Sequence, residues 1–353
     1  RRAMPPTVLV TGATGYIALE IIRQLTDVTD FRLRGTVRSL ANTKRNQPLL
    51  DLAPGIELVE ADLVSPDGWA QAVEGVDFVL HTASPFFLAS KKEGQQALVK
   101  PAVEGTLNVL RACAAPSSTV QRVVLTSSVA AVAYGKNMPK DHVYTEADWT
   151  DPEHVDAYTC SKTLAEKAAW DFVGANDGHP FTLTTINPAL VLGAPLGAPG
   201  TSLNFIKMLL NGEVPLVPPI RFGVVDVRSV AHAHIAALTS EQAPGQRYIL
   251  SAREMLLREI AACLAAEFAP LGYSLPSRPL PYFVAYVLSF FKVDAEAMVK
   301  GWDRPLRLDG SRCERELGVQ YFDVHEAAVG SGHWLIQNGH VKRTTKYQAP
   351  EPK

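Results

Sequence analysis

One stretch constrains this chain more than any other: Thr7-Val8-Leu9-Val10-Thr11-Gly12-Ala13-Thr14-Gly15-Tyr16-Ile17-Ala18. Apolar and β-branched residues run straight into a glycine turn, which opens into Ile17-Ala18-Leu19-Glu20-Ile21-Ile22-Arg23-Gln24-Leu25, apolar at helical spacing. The pattern predicts strand, loop and helix. Gly12 suits a sharp turn off the strand, and a side chain at Gly15 would hold the backbone away from a bound pyrophosphate. The helix N-terminus then offers N–H groups and the positive end of its dipole to phosphate.

The spacing is G-x-x-G-x-x-A, with Ala18 where a dinucleotide fingerprint has its third glycine; alanine is small enough for close packing of helix on strand. The second strand, Arg32-Leu33-Arg34-Gly35-Thr36-Val37, ends at Arg38. A carboxylate there would hold the ribose 2′-hydroxyl of NAD, whereas an arginine suits the 2′-phosphate of NADP. Arg38, with Lys44 or Arg45 just downstream, can pair with that phosphate by charge-assisted hydrogen bonds. NADP is therefore expected rather than NAD.

At 353 residues the chain is long for one core, which suggests a large nucleotide-binding domain with a smaller attached region. A net charge of −2 leaves no electrostatic footprint for nucleic acid and no polybasic membrane patch. Cys113, Cys160, Cys263 and Cys313 show no C-x-x-C pair and no metal-ligand spacing, so no metal site is expected, and they read as reduced thiols of a cytoplasmic protein. The N-terminus runs at once into the first strand, without the apolar segment of a signal peptide. The most apolar run, residues 281–291, is shorter than the roughly 20 residues a bilayer crossing takes. It reads as a buried helix or pocket wall, and no integral membrane segment is expected.

Strands and helices alternate over the first 190 residues, predicting an α/β fold: a doubly wound parallel sheet with helices on both faces. The third strand runs into Asp62, which could meet an adenine amino group or cap a turn; spacing leaves both open. The strand Asp77–His81 ends in Thr82-Ala83-Ser84-Pro85-Phe86-Phe87, small residues and then aromatics at a carboxyl end, where ligands bind. Another, Arg122–Leu125, ends in Thr126-Ser127-Ser128, and Phe181–Ile186 ends in Asn187-Pro188-Ala189-Leu190-Val191. Residues 5–190 are expected to form the nucleotide domain, with 224–250 returning to the sheet. Residues 191–223, including a helix over Ser202–Leu210, and 251–337 are expected to form a smaller, mostly helical substrate-binding region, and 338–353 a loose tail. Asp226 is expected to cap a helix whose His232 and His234 are surface or core residues rather than ligands.

The predicted helix over 156–173 contains Tyr158-Thr159-Cys160-Ser161-Lys162. Residues four apart share a helical face, so phenol and ammonium point the same way. A neighbouring cation favours the phenolate and would bring the tyrosine toward working pH, as a general acid for carbonyl reduction requires.

With Gly12-x-x-Gly15-x-x-Ala18, Ser128 and Tyr158-x-x-x-Lys162, the chain resembles the extended short-chain dehydrogenases/reductases, whose fold is of Rossmann type. Residues His81–Phe86, Arg122–Ser128, Ala165–Trp170 and Asp226–Arg228 are similar to the dihydroflavonol reductase-like branch, especially the yeast methylglyoxal/isovaleraldehyde and fungal aldehyde reductases. The resemblance implies that Tyr158 protonates the substrate oxygen as hydride arrives from the nicotinamide. Lys162 would bind the nicotinamide ribose and depress the Tyr158 pKa, and Ser128 would orient the carbonyl. It further implies that Gly12, Thr14, Gly15, Tyr16 and Ile17 bind the cofactor, that Arg38 and Lys44 hold the 2′-phosphate, and that Asp62 and Leu63 lie at the adenine. Thr82, Ala83, Ser84, Thr126, Pro188, Ala189, Leu190, Val191 and Ser202 would line the dinucleotide. A mostly apolar substrate pocket is expected from Phe86, Phe87, Val129, Tyr134, Phe205 and Met208.

Three departures bear on this. Glu104 stands where many extended members carry a proton-relay asparagine, Ala133 where plant dihydroflavonol reductases carry a flavonoid-contacting one, and Val155–Lys162 lacks the cinnamoyl-CoA reductase signature. The expected activity is NADPH-dependent, reversible reduction of a small aldehyde or ketone by a monomer or homodimer. A sterol-type dehydrogenase, a dihydroflavonol or cinnamoyl-CoA type of reductase, and a non-catalytic NADP-sensing module are the alternatives.

Overall fold

Val8 and Val10 turn to one side of their strand and Leu9 to the other, and all three are inaccessible to solvent. A strand apolar on both faces needs cover on both, the condition met inside a parallel sheet. In a computed structural model, which describes residues 5–28, 31–84, 96–135, 138–175, 181–289 and 302–350, that strand is β1 (Thr7–Thr11), near the centre of seven. From β1 the sheet runs outward through β2 (Arg32–Val37) to β3 (Glu57–Glu60). On the other side lie β4 (Phe78–His81), β5 (Arg122–Thr126), β7 (Thr182–Pro188) and β10 (Arg247–Leu250). All six pairings are parallel. Chain order reverses between β1 and β4, so the connections leave their carboxyl ends in opposite directions and open a crevice there.

One face is covered by α1 (Tyr16–Val28) and α7 (Val227–Thr239), with Leu49 of α2 (Thr43–Leu52) in the same core. The other is covered by α3 (Trp69–Val73), α4 (Gln96–Cys113) and α5 (Ala157–Gly174). The doubly wound expectation holds.

A short parallel pair, β6 (Val143–Tyr144) with β12 (Arg307–Leu308), closes one end. A smaller lobe packs α6 (Asn204–Leu210), α8 (Leu257–Phe268) and α11 (Val324–Gln337) around its own core, with α10 (Ser311–Leu317) on the large domain side. Here one expectation is corrected. Val224–Asp226 does not rejoin the large sheet: β9 (Arg221–Asp226) pairs with β8 (Leu190–Leu192) and β11 (Arg253–Leu256) in a separate three-stranded sheet. The place beside β7 is taken by β10, and Asp226 caps α7 directly by accepting from the Arg228 N–H.

The expected loose tail is also corrected over its described part. Val341 is buried, the Thr344 hydroxyl donates to the Leu271 carbonyl, and the Tyr347 hydroxyl lies 3.0 Å from His333 Nδ1. Rings and a buried aliphatic side chain anchor what reads as polar. The apolar run beginning at Pro281 forms α9 (Tyr282–Ser289), with Ala285 buried but Tyr282, Phe283 and Tyr286 exposed; residues 290–291 lie outside the described set. No helix among the described residues is long and apolar enough to cross a membrane.

Candidate active site

The floor of the crevice is the loop between β1 and α1. Gly12 sits at φ +62°, a conformation L side chains avoid, and a Cβ there would lie 3.0 Å from the Ala83 Cβ. Thr36 anchors the loop by accepting from the Gly12 N–H through Oγ1 at 2.9 Å and from the Ala13 N–H through its carbonyl at 2.9 Å. The exit of β4 lies across it: Thr82 Oγ1 donates to the Thr11 carbonyl at 2.6 Å, and the Ala83 N–H donates to Thr11 Oγ1 at 3.1 Å. Loop, small residues and helix N-terminus form a cradle that matches a dinucleotide pyrophosphate in shape and donors. At its outer edge Arg45, rather than Lys44, reaches the loop, its Nε donating to Thr14 Oγ1 at 3.3 Å. Arg38 and Lys44 are exposed nearby in sequence.

Several expected cofactor residues spend their side chains on the fold. The Tyr16 phenol donates to the Gly193 carbonyl at 2.8 Å, its ring fills the space beside Gly200, and burial first, then Asp226, raises its pKa well above the ordinary value. Leu63 is buried against Gly105, and Asp62 caps a turn by accepting from the Val64 N–H at 3.2 Å. Ser202 donates to the Val191 carbonyl at 2.6 Å, and Thr126 Oγ1 lies 2.7 Å from His234 Nε2. His234 is buried, as one of its two expected settings, and burial lowers its pKa to about 4.

The rim is built by α5. Asp156 caps it by accepting from the Tyr158 and Thr159 N–H groups, which fixes where Tyr158 begins its first turn. Tyr158 hydrogen-bonds Ser128, whose Oγ also caps the turn Val129–Ala131 by accepting from the Ala130 N–H at 3.1 Å. Lys162, one turn on, donates from Nζ to Ser84 Oγ at 3.1 Å, crossing to the β4 exit. Ser128, Tyr158, Lys162 and Ser84 are thus linked around one opening beside the glycine loop.

The expected electrostatics are corrected. The Tyr158 pKa is raised, by burial first, with the Ser128 hydrogen bond opposing and Asp156 adding to the rise. The Lys162 ammonium is hydrogen-bonded to Ser84 at the β4 exit. Its own pKa is lowered to about 8 by burial, against the opposing charge of Glu166.

Of the expected pocket residues, Tyr134 is tied to this opening: burial pushes its phenol up to about 12, with Tyr158 and Asp156 adding to the rise. Val129 packs inward beside Ala133, Tyr144 and Ile249. Phe205 and Met208 stand partly exposed on α6, Phe205 against the Phe222 ring at 5.1 Å. Phe86 and Phe87 lie outside the described residues. Glu104 faces solvent and pairs with Arg111 at 3.3 Å, so that position does not serve Lys162 here.

The model of the 3-beta hydroxysteroid dehydrogenase/isomerase family matches residues 9–258, spanning both the glycine loop and the Tyr158–Lys162 helix. This chain belongs to that family. Among family relatives, a cinnamoyl-CoA reductase of Medicago truncatula is 39% identical, over 80% of this chain and 87% of the relative. An uncharacterised oxidoreductase of Saccharomyces cerevisiae is 34% identical over 95% of this chain and 98% of its own length. The NADPH complex of Gre2 from Candida albicans superposes with a TM-score of 0.78 at 28% identity, covering 94% of this chain and 99% of that one. The NADPH complex of the yeast methylglyoxal/isovaleraldehyde reductase Gre2 does so at 0.77 and 27%, covering 95% and 100%. The chain is a reductase of the extended short-chain type, as its motifs imply.

Sequence reasoning missed a buried polar cluster behind the rim: Glu166, Asn187 and Arg247 with Ser127. The spacing Tyr158, Lys162, Glu166 places the carboxylate on the same helical face and could have flagged it. Arg247 carries no such local signal. His81, to which the sequence assigns no role, is wholly buried at the end of β4; its Nδ1 lies 2.8 Å from Thr11 Oγ1, and burial and then Lys162 hold its pKa down to about 3.

Proposed function

We propose that this chain is an NADPH-dependent reductase of aldehydes and ketones, reversible as an alcohol dehydrogenase. The observation that carries it is the Tyr158 phenol hydrogen-bonded to Ser128 at the mouth of the glycine-loop crevice, with Lys162 spanning to Ser84. The cradle that a Cβ at Gly12 would fill fits a dinucleotide, and Arg45 with Arg38 would hold its 2′-phosphate. NADPH bound there supplies the hydride for carbonyl reduction. Tyr158 gives its proton at Oη to the substrate oxygen, Ser128 holds that oxygen in line, and Lys162 binds the nicotinamide ribose and stabilises the phenolate left behind. Tyr134, Phe205 and Met208 are proposed to shape a mostly apolar pocket.

Two NADPH-bound Gre2 structures, the yeast one named a methylglyoxal/isovaleraldehyde reductase, support this reading. A second reading, reduction of a hydrophobic thioester, draws on the similarity to the Medicago cinnamoyl-CoA reductase. The test is NADPH and NADH oxidation against aliphatic and aryl aldehydes, α-diketones, a dihydroflavonol, a sterol ketone and an aromatic CoA thioester. Turnover on simple carbonyls with NADPH preferred is expected. Activity confined to the thioester would favour the second reading, and tight NADPH binding without turnover on any of them would sink both.

A further inference from the structure

The face of α5 that carries Tyr158 and Lys162 continues one turn further to Glu166, whose side chain is wholly buried. Its carboxylate accepts from Asn187 Nδ2 at 2.7 Å, Arg247 Nε at 2.6 Å, Thr185 Oγ1 at 3.1 Å, Trp170 Nε1 at 3.3 Å and the Ser127 hydroxyl. Two of these partners lead straight to the rim. Ser127 precedes Ser128 in the chain, and Asn187 Nδ2 also donates to the Ser128 carbonyl at 3.1 Å. Arg247 continues the network outward to the carbonyls of Glu146 and Asp148 at 2.6 and 2.8 Å, its guanidinium 3.7 Å from the Trp149 ring centroid.

A buried ion pair is a weak source of stability, since apolar residues of similar volume often do as well. The placement of this one therefore calls for another reason. Glu166 and Lys162 border the same cavity of about 20 Å³, shared with Ser84, Thr106 and Ser127, which is room for about one water molecule.

We propose that Glu166 is a positioning residue of the active site, holding the Ser127–Ser128 segment in place and keeping Lys162 charged from one helical turn away. The inference rests on the roles proposed for Tyr158 and Lys162 above. Among the described residues, the groups facing Lys162 are Tyr158 and Glu166 on its own helix, Ser84 and neutral His81 from β4 and its exit, Ser127 beyond β5 and Thr106 from α4. Glu104 of α4 turns away to Arg111, and Arg247 of β10 is paired with the Glu166 carboxylate at 2.6 Å. Among the described residues, Glu166 is therefore the negative charge that opposes the loss of the lysine proton to burial.

The sign follows directly. Removing the carboxylate charge lowers the Lys162 pKa, so reduction, which needs Lys162 protonated, fails at a lower pH than in the wild type. The experiment compares pH profiles of kcat and kcat/KM, with NADPH and the best aldehyde of the panel, for wild type, Glu166→Gln, Glu166→Asp and Glu166→Gln/Arg247→Met. The alkaline limb is expected to move down by about one pH unit in Glu166→Gln. The accompanying drop in kcat is expected to be roughly ten- to a hundredfold, as Ser128 loses its support. Glu166→Asp, which keeps the charge, should return the limb close to wild type even at a lower Tm. The double variant leaves no stranded guanidinium, so it carries the test if the single Gln variant does not fold, and its limb should also move down.

A limb unmoved in every folded Gln variant would overturn the inference and leave Glu166 a structural clamp. Tyr158→Phe and Lys162→Met are run alongside. If either turns over near the wild-type rate, the proposed reading of the site falls and this inference with it. If both are inactive and the limb stays in place, the inference on Glu166 alone fails.

Discussion

The glycine-loop floor and the α5 rim face each other across one crevice, but they are built by opposite means. The floor consists of backbone conformation and small side chains: Gly12 at positive φ, Ala83 pressed against it, and a threonine from the neighbouring strand anchoring the loop. The rim stands on buried charge and hydroxyls, with Glu166 and Arg247 at 2.6 Å beneath Ser127 and Ser128. A floor that must admit a phosphate closely does so by lacking side chains, whereas a rim proposed to move a proton needs polar groups held rigidly out of water. Substitutions on the floor should then act through binding and folding, and those on the rim through rate and pH.

The sharpest separation is expected from Tyr158→Phe. Loss of the general acid should lower kcat by roughly 10²–10⁴. NADPH affinity, followed by cofactor fluorescence, should stay close to wild type; a parallel collapse of affinity would break the division between floor and rim. The mirror-image change, Gly12→Val, places a β-branched residue at φ +62° with its Cβ 3.0 Å from Ala83. It should lower Tm and weaken NADPH binding by tenfold or more, the left-handed backbone alone costing about 1–2 kcal/mol.

Acid stability probes what underlies both halves. His81 touches Thr11 beneath the floor and His234 touches Thr126 beneath β5, and burial holds their pKa values to about 3 and about 4. The unfolded chain takes up protons at these residues below about 6.5, while the fold keeps them neutral, so stability falls as pH drops from there. Each should contribute a loss of roughly 2–3 kcal/mol by pH 4.5. In denaturant melts across that range, His81→Asn and His234→Gln should each flatten the slope. The smallest effect is expected at the exposed edge of the floor. Arg45→Ala should reduce the preference for NADPH over NADH by about fivefold or less, since exposed ion pairs contribute little.

What could be read in advance follows the same division. The strand, loop and helix from Thr7 to Val28 are written in consecutive residues, as is the shared face of Tyr158 and Lys162, and each is observed where expected. The residues alone leave Lys44 and Arg45 open at the loop and the resemblance points to Lys44, yet Arg45 is the one that reaches Thr14; both lie in the first turn of α2 and only their rotation about its axis separates them. The Tyr158 pKa went the other way from expectation. Helical spacing puts Lys162 on the same face, but burial of the phenol, which depends on segments packed around it, raises its pKa instead. The path of β9 and the docking of the tail were missed for a related reason: strand pairing and burial of Val341 depend on partners that no local pattern names.

The sequence alone therefore determined the alternation of elements, the open cradle at Gly12 and the register of α5, because turn conformation and helical phase depend on residues that are neighbours in the chain. Only the tertiary structure decided which groups meet beneath the rim. Glu166 meets Arg247 81 residues later, and Asn187 reaches back 59 residues to the Ser128 carbonyl. Buried charges and amides must find partners somewhere in the fold, and parallel strands bring those partners together from segments far apart in the chain.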